Sequence, residues 1–455
     1  MSGWKYPAYR ASREVWVGSV PDHWGMVPLK YLVRLRGGVT PSKENFAYWD
    51  GNVPWASSKD LKSESLSDTE DHITEEAVQA GAAVLVPAGS VLIVVRGMIL
   101  AHSFPVTSVL TEMAINQDLK ALTPRDALTV EFLPWLLRAL TGITLGTADE
   151  AAHGTKVLRI PAWTSTRVPV PPHSEQLEIS SFLLRETAAI DSLISEQQRI
   201  INLLNEKRQA VISHAVTKGL NPDAAMKNSG IEWLGEVPAL WSVLSLGRVT
   251  RSCCDGPFGS GLKSEHYTDN GVRVVRLQNI RAAGFDSSNA AFVNATYYAE
   301  ALSGHDVDAG DVLVAGLGDD NNVVGRACVA PSGIAPAMVK ADCFRFRVDT
   351  SVALPEFVAT ALSATAPATA GMLSTGSTRS RIPLSVMRTR KIPLPPIQEQ
   401  REIDSFVQEA RARFDGLIRE AQRAMDLLAE RRTALIAAAV TGQIDVRGLA
   451  SVEVA

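Results

Sequence analysis

VPVPPHSEQLEISSFLLRETAAIDSLISEQQRIINLLNEKRQAVISHAVT occupies residues 168–217, and IPLPPIQEQREIDSFVQEARARFDGLIREAQRAMDLLAERRTALIAAAVT occupies residues 392–441. The two stretches align without a gap at an offset of 224, with identities at Pro169/Pro393, Pro172/Pro396, Glu175/Glu399, Gln176/Gln400, Ile179/Ile403, Phe182/Phe406, Asp191/Asp415 and Arg208/Arg432. A repeat of this length decides the architecture before any local motif does. Each copy starts as a proline-rich extended run and then continues for about 40 residues without proline, which predicts a long helix of roughly 60 Å. In the first copy a cap is expected near Ser174 and a stop near Gly219 and Pro222; the second runs to Gly442. Alternating steps of four and three fall on Ile179, Leu183, Glu186, Ile190, Leu193, Gln197, Ile200, Leu204, Lys207 and Val211. In the second copy they fall on Ile403, Val407, Ala410, Phe414, Leu417, Ala421, Ala424, Leu428, Arg431 and Leu435. Most of these positions are apolar and their flanks are charged, so the two helices are expected to pair as an antiparallel coiled coil.

Working outward, a shorter repeat precedes each globular stretch. WVGSVPDHWGMVPLKYLV (16–33) echoes WLGEVPALWSVLSLGRVT (233–250), with Trp16/Trp233, Gly18/Gly235, Val20/Val237, Pro21/Pro238 and Trp24/Trp241 aligned at an offset of 217. These Trp and Pro residues are expected to be structural, fixing how a domain leaves its helix. The chain is thus one unit of about 220 residues written twice, with Asn221–Gly230 as the linker. The globular stretches, roughly 25–167 and 242–391, hardly resemble each other in sequence. Both carry β-rich runs, at 82–95, 272–280, 310–317 and 344–349, with helices expected at 128–141 and 353–364. The fold class is therefore α+β, two β-rich domains alternating with two long paired helices in an internal pseudo-twofold repeat. The segments are 1–167, 168–220, 221–391 and 392–455.

A chain of 455 residues needs more than one core, and 46% hydrophobic with 21% charged residues describes a globular protein. No apolar run reaches membrane-span length, and MSGWKYPAYRASREVW lacks the apolar centre of a signal peptide, so a cytoplasmic location is expected. Cys253, Cys254, Cys328 and Cys343 have no CxxC spacing and are expected to be reduced thiols with no metal site. The net charge of −4 gives no overall basic balance, but phosphate attraction depends on local patches.

No catalytic apparatus is visible. There is no phosphate loop, no G-x-G-x-x-G opening a βα unit and no Asn/Asp-Pro-Pro-aromatic signature of amino-methyltransferases. A nuclease would gather carboxylates around metal ions; Asp319-Asp320 is the tight acidic pair of the second domain and reads as a solvated turn. What the globular stretches offer is cationic and amide side chains in loops. In the first these are Arg34, Arg36, Lys43, Lys59, Lys62, Arg96, Asn116, Gln117, Lys156 and Arg159. In the second they are Lys263, Arg276, Gln278, Asn279 and the run GSTRSRIPLSVMRTRK, with Ser377, Thr378, Arg379, Arg381, Arg388, Arg390 and Lys391. Arg and Lys position phosphates or read guanine, and Asn or Gln bonds adenine; taken singly, each such residue is more often solvated surface.

The whole pattern resembles the specificity subunits of type I restriction–modification systems. The resemblance is carried by the duplicated P-x-P-P-x-x-E-Q helix starts (169–176, 393–400), the E-[KR]-R…A-V-T helix ends (206–217, 430–441) and the lead-in motifs at 16–24 and 233–241. It is also carried by GGVTPSKENFAYWDGNVPWASSKDL (37–61), RGMILAHSFPV (96–106) and GSTRSRI (376–382), where the first domain departs with HGTKVLRI (153–160). The resemblance implies two target recognition domains that each read half of a bipartite, asymmetric double-stranded DNA site, with the paired helices as spacer. It implies that two modification (methyltransferase) subunits dock on the helices and carry S-adenosylmethionine chemistry on adenine. Restriction subunits would bring ATP and Mg. This chain would then hold no cofactor and no catalytic residue. The alternatives are a coiled-coil scaffold that assembles protein partners without reading sequence, and a self-contained modification or restriction enzyme. Two divergent inserts on one frame disfavour the first, and the missing motifs disfavour the second.

Overall fold

The computed structural model describes residues 4–150, 154–258, 261–282, 284–319, 321–373 and 380–449. They form two compact units: one of Met1–Gln198 with Arg423–Ala455, the other of Arg199–Gln422. Two long helices, His173–Lys218 and Ile397–Val440, each begin in one unit and finish in the other.

In the first unit a five-stranded sheet has the order Val33–Gly37, Leu119–Pro124, Val91–Val94, Val106–Val109, Ser65–Leu66. A four-stranded sheet beside it has the order His72–Ile73, Trp49–Ala56, Met113–Ile115, Leu85–Val86, with Trp49–Ala56 and Met113–Ile115 parallel. The run Val91–Val94 is buried at all four positions, which is why it reads as continuously apolar rather than alternating. The helix Phe132–Ala139 lies within the window expected at 128–141.

The second unit repeats this plan. Thr250–Cys254, Cys343–Val348, Val312–Ala315 and Ala327–Val329 form an antiparallel sheet in the strand order of the first four strands above. A second sheet has the order Tyr267–Thr268, Phe292–Val293, Val272–Val275, Ala337–Val339, Asp306–Val307, again with one parallel pair, Val272–Val275 with Ala337–Val339. The helix Pro355–Leu373 extends past the expected end at 364. Two stretches that hardly resemble each other in sequence therefore share one topology. They also share a steric requirement where the chain leaves the edge strand. A Cβ on Gly38 would lie 2.0 Å from the Ile115 carbonyl oxygen, and one on Gly256 would lie 2.3 Å from that of Val339. Glycine alone fits such an approach.

Each unit has one main core that merges domain and helices. In the first, Ile179, Phe182 and Leu183 of one long helix and Ile436, Ala439 and Val440 of the other join Trp24, Phe132 and Trp163. In the second, Ile212, Ala215 and Val216 with Ile403 and Val407 join Trp241, Phe346 and Phe357. Residues ascending one helix meet residues descending the other, so the pairing within each unit is antiparallel. Asp191 takes an ion pair from Arg432 Nε at 2.9 Å in the first unit, and Asp415 takes one from Arg208 in the second. Under the 224-residue repeat these are the same pair made twice.

The seam differs from the expected one at several points along its length. Leu193 and Ile200 are exposed, and so is Leu417; Ile201 and Ile212 are buried in place of Ile200 and Val211, and Ile436 in place of Leu435. An α-helix drifts by about 20° per heptad from a strict seven-residue repeat, so the alternating steps lose the buried face along helices of 46 and 44 residues.

Candidate nucleic-acid interface

The helix-start motif is docking hardware. Glu175 and Glu399 each accept a hydrogen bond from an indole of the lead-in motif, Trp24 Nε1 at 2.9 Å and Trp241 Nε1 at 2.9 Å. Gln176 is fully buried; its Oε1 accepts from the Thr129 amide at 2.8 Å while Nε2 donates to the Pro171 and Ala127 carbonyls. Gln400 does the same with the Leu354 amide and the Pro395 and Val352 carbonyls. A carboxylate for an indole N–H and an amide for one backbone donor and two acceptors are what these residue types supply. The motif thus fixes each globular stretch on the start of its helix.

On this frame the candidate DNA-contacting residues fall into groups. Arg34 and Arg36 alternate with Val33 and Leu35 along the edge strand and both are exposed, with Arg36 Nη1 donating to the Leu85 carbonyl at 2.8 Å. Lys43 is exposed on the following loop. Lys59 is drawn to Glu70 at 3.3 Å and Asp71 at 2.9 Å. Lys62 lines a cavity of about 320 Å³ with Glu64, Arg138 and Arg432. Residues distant in sequence meet on a three-stranded sheet of Arg96–Gly97, Lys156–Leu158 and Ala148–Glu150, where Arg96 pairs with Val157 and Gly97 with Lys156. Arg96 is exposed, Lys156 lies 3.7 Å from Glu150, and Arg159 Nε donates to Asp149. Of the amides, Gln117 is exposed, while Asn116 is buried and caps the Asp118 amide.

In the second unit Lys263 is exposed, 3.7 Å from Glu265. Gln278 is exposed on a short turn, and Arg276 donates to the Asn289 carbonyl. Asn279 is buried, its Oδ1 accepting from the Arg276 amide at 2.9 Å and its Nδ2 donating to the Asp286 carbonyl at 2.9 Å, so its side chain builds the loop. Arg381 Nε donates to Asp342 at 2.8 Å, and its guanidinium lies 5.4 Å from the centre of the exposed Phe258 ring. Arg388 and Lys391 are exposed. Ser377, Thr378 and Arg379 lie outside the described residues.

One member of the basic run requires correction. Arg390 is buried and bonds the Leu362 and Gly325 carbonyls and the Thr365 hydroxyl, and burial pushes its guanidinium down to about 10. It cannot meet DNA; it packs the helix before the second proline run. Sequence reasoning also passed over Arg326. It is buried and donates to the Ile280, Leu277 and Val323 carbonyls, stapling two loops beneath Gln278. Only the partners could reveal that role.

Carboxylates do gather in the second unit. Asp306, Asp308 and Asp311 surround Arg347, with separations of 3.1, 2.6 and 2.9 Å, and their hydrogen bonds hold its guanidinium above the usual arginine range. Their charge is thus spent on a cation. Asp255, raised to about 6 by burial and by Asp342 nearby, accepts from the Gly256 and Asp342 amides. Among the described residues no group of three or more His, Cys, Asp or Glu is placed to hold a metal, and no helix is long and apolar enough to cross a membrane.

Residues 21–204 match the family model of the type I restriction modification DNA specificity domain. The chain is 28% identical over 198 residues to the type I restriction enzyme EcoR124I/EcoR124II specificity subunit of Escherichia coli, an alignment covering 43% of each. It is 26% identical over 301 residues to the MjaIX specificity subunit of Methanocaldococcus jannaschii, covering 62% of this chain and 63% of that one. The alignments thus span less than two thirds of these relatives. A solved chain from a type I restriction–modification system superimposes with a TM-score of 0.62 at 16% identity, over 92% of this chain and 98% of that one. A fold written twice on paired helices, glutamate and glutamine docking each domain, and these likenesses point the same way: residues 21–204 are similar to the type I restriction modification DNA specificity domain, and the chain is similar to type I specificity subunits along part of their length.

Proposed function

We propose that this chain is a non-catalytic recognition subunit whose two β-rich domains each read one half of a bipartite, asymmetric duplex DNA site. The observation that carries the reading is one frame bearing two different surfaces. The strand order, the close glycine approach and the Trp–Glu and Gln contacts are repeated, while the exposed loop residues are not. A recogniser of two unlike half-sites needs that combination; a scaffold for identical partners does not. Two modification subunits would dock on the long helices and carry S-adenosylmethionine, and restriction subunits would supply ATP-driven steps with Mg. The target adenine must leave the stack to be methylated, so this chain would hold the duplex while a partner acts on the base.

The test is selection from a random duplex library by the chain co-purified with its methyltransferase. Two short motifs at a fixed separation are expected. A single contiguous motif would mean that one domain is idle, and no enrichment by an intact complex would favour the scaffold. The isolated chain is expected to transfer no methyl group.

A further inference from the structure

The two segments that follow the basic stretches lie in matching places. Lys156–Leu158 pairs with Arg96–Gly97 just beyond the buried strand Val91–Val94, with the Leu158 amide donating to the Val95 carbonyl at 2.9 Å. In the second unit Arg381 bridges to Leu317 just beyond Val312–Ala315, and the Ile382 amide donates to the Gly316 carbonyl at 2.8 Å. Both segments continue as Arg-Ile-Pro, at Arg159-Ile160-Pro161 and Arg381-Ile382-Pro383, and then enter a short helix. The ladders differ by two residues in register: Val157 stands opposite Arg96 where Arg381 stands opposite Leu317, so Arg159, one residue past its strand, sits two residues further along than Arg381.

Each arginine is held alike by an aspartate from elsewhere in its domain. Arg159 Nε donates to Asp149, and Arg381 Nε donates to Asp342. The second guanidinium also lies over the Phe258 ring, 5.4 Å from its centre. Both arginines are exposed, and among the described residues their Nη1 and Nη2 groups bond nothing. A guanidinium fixed through Nε and open along its Nη edge is oriented for a bidentate oxyanion.

We propose, building on the recognition reading above, that Arg159 and Arg381 are a matched pair of phosphate anchors. Each grips the DNA backbone at one half-site, with Asp149 and Asp342 as positioning residues. The two domains present otherwise different exposed side chains and would read different bases. A contact kept in both must address what the half-sites share, which is the sugar-phosphate chain; such contacts set register without carrying sequence.

The experiment uses the complex with its methyltransferase, binding its selected site and a scrambled duplex over a range of salt. Arg159→Ala and Arg381→Ala are each expected to weaken both duplexes by the same factor. Each should lower the slope of log K against log salt by about 0.9 and leave the selected motif unchanged. Arg381→Lys should restore the slope, because an ammonium still neutralises a phosphate. Asp342→Asn should keep the slope as well; Asp342 has φ +62°, a conformation asparagine tolerates. Loss of a base from the motif would overturn the proposal in favour of base reading. So would an unchanged slope accompanied by equal losses of melting temperature in Arg381→Ala and Asp342→Asn, since the pair would then be only structural. A wild-type complex that binds no duplex would instead remove the recognition reading itself.

Discussion

Gln400 satisfies three backbone groups from a site with no water access, and Gln176 does so in the other unit. Removing such a side chain strands donors and acceptors, at a cost of about 2–3 kcal/mol. Gln400→Ala is therefore expected to lower the unfolding free energy of the second unit by that amount, read as a lower urea midpoint at unchanged m-value. Asp255 makes the opposite case. Its carboxyl is held at about 6 by burial and Asp342, above the carboxylate range of the unfolded chain. The native state thus binds this proton more tightly. That contribution to stability is complete below about pH 4 and is lost as pH rises through about 6. Asp255→Asn keeps an oxygen for the Gly256 and Asp342 amides and removes the buried charge. It is expected to raise the melting temperature by a few degrees near pH 7.5 and to match the parent below pH 4. The reverse order in calorimetry would show that Asp255 ionises freely, stabilised by Arg381. Neither residue's role was legible in sequence. Glu-Gln stood out as a repeated pair, but its partners Thr129 and Leu354 are 47 and 46 residues away, set by the fold and by no local pattern.

At the scale of elements, the helix pairing within each unit combines apolar contacts with an ion pair made once in each unit. Arg432 joins Asp191 of the partner helix and Glu64 of the first domain. Arg432→Asp would set three carboxylates together and is expected to cost about 1–3 kcal/mol. Asp191→Arg added to it should recover part of that loss, read as a coupling energy in a double-mutant cycle by urea unfolding. No recovery would mean that Glu64 alone matters. The helices themselves were legible because 40 residues without proline and a gap-free duplication leave few other readings. Their facing residues were less so: the α-helical period drifts off seven, which left Leu193 and Leu417 outside the seam they were expected to fill. The shared strand order of the two domains was invisible, since only glycine at Gly38 and Gly256 and buried apolar runs are needed to keep it.

For the whole molecule, each repeat is contiguous in sequence, whereas only the second of the two compact units is. Residues 199–422 carry everything the second unit needs, whereas the first draws on 1–198 and 423–455 together. A fragment of 199–422 is expected to unfold cooperatively by itself. A fragment of 1–198 should bind a hydrophobic dye until supplied with 423–455, because Ile179, Phe182 and Leu183 lack Ile436, Ala439 and Val440. Equal cooperativity in both fragments would show that the second helix adds nothing to the first core. The arrangement also bears on the order of biosynthesis. A ribosome reading this message delivers the second unit complete once residue 422 has cleared the exit tunnel, while the unit begun first still waits for its last helix. The half made earliest matures last, and a premature stop codon late in the gene would disable the domain encoded at its beginning while sparing the one encoded nearer its end.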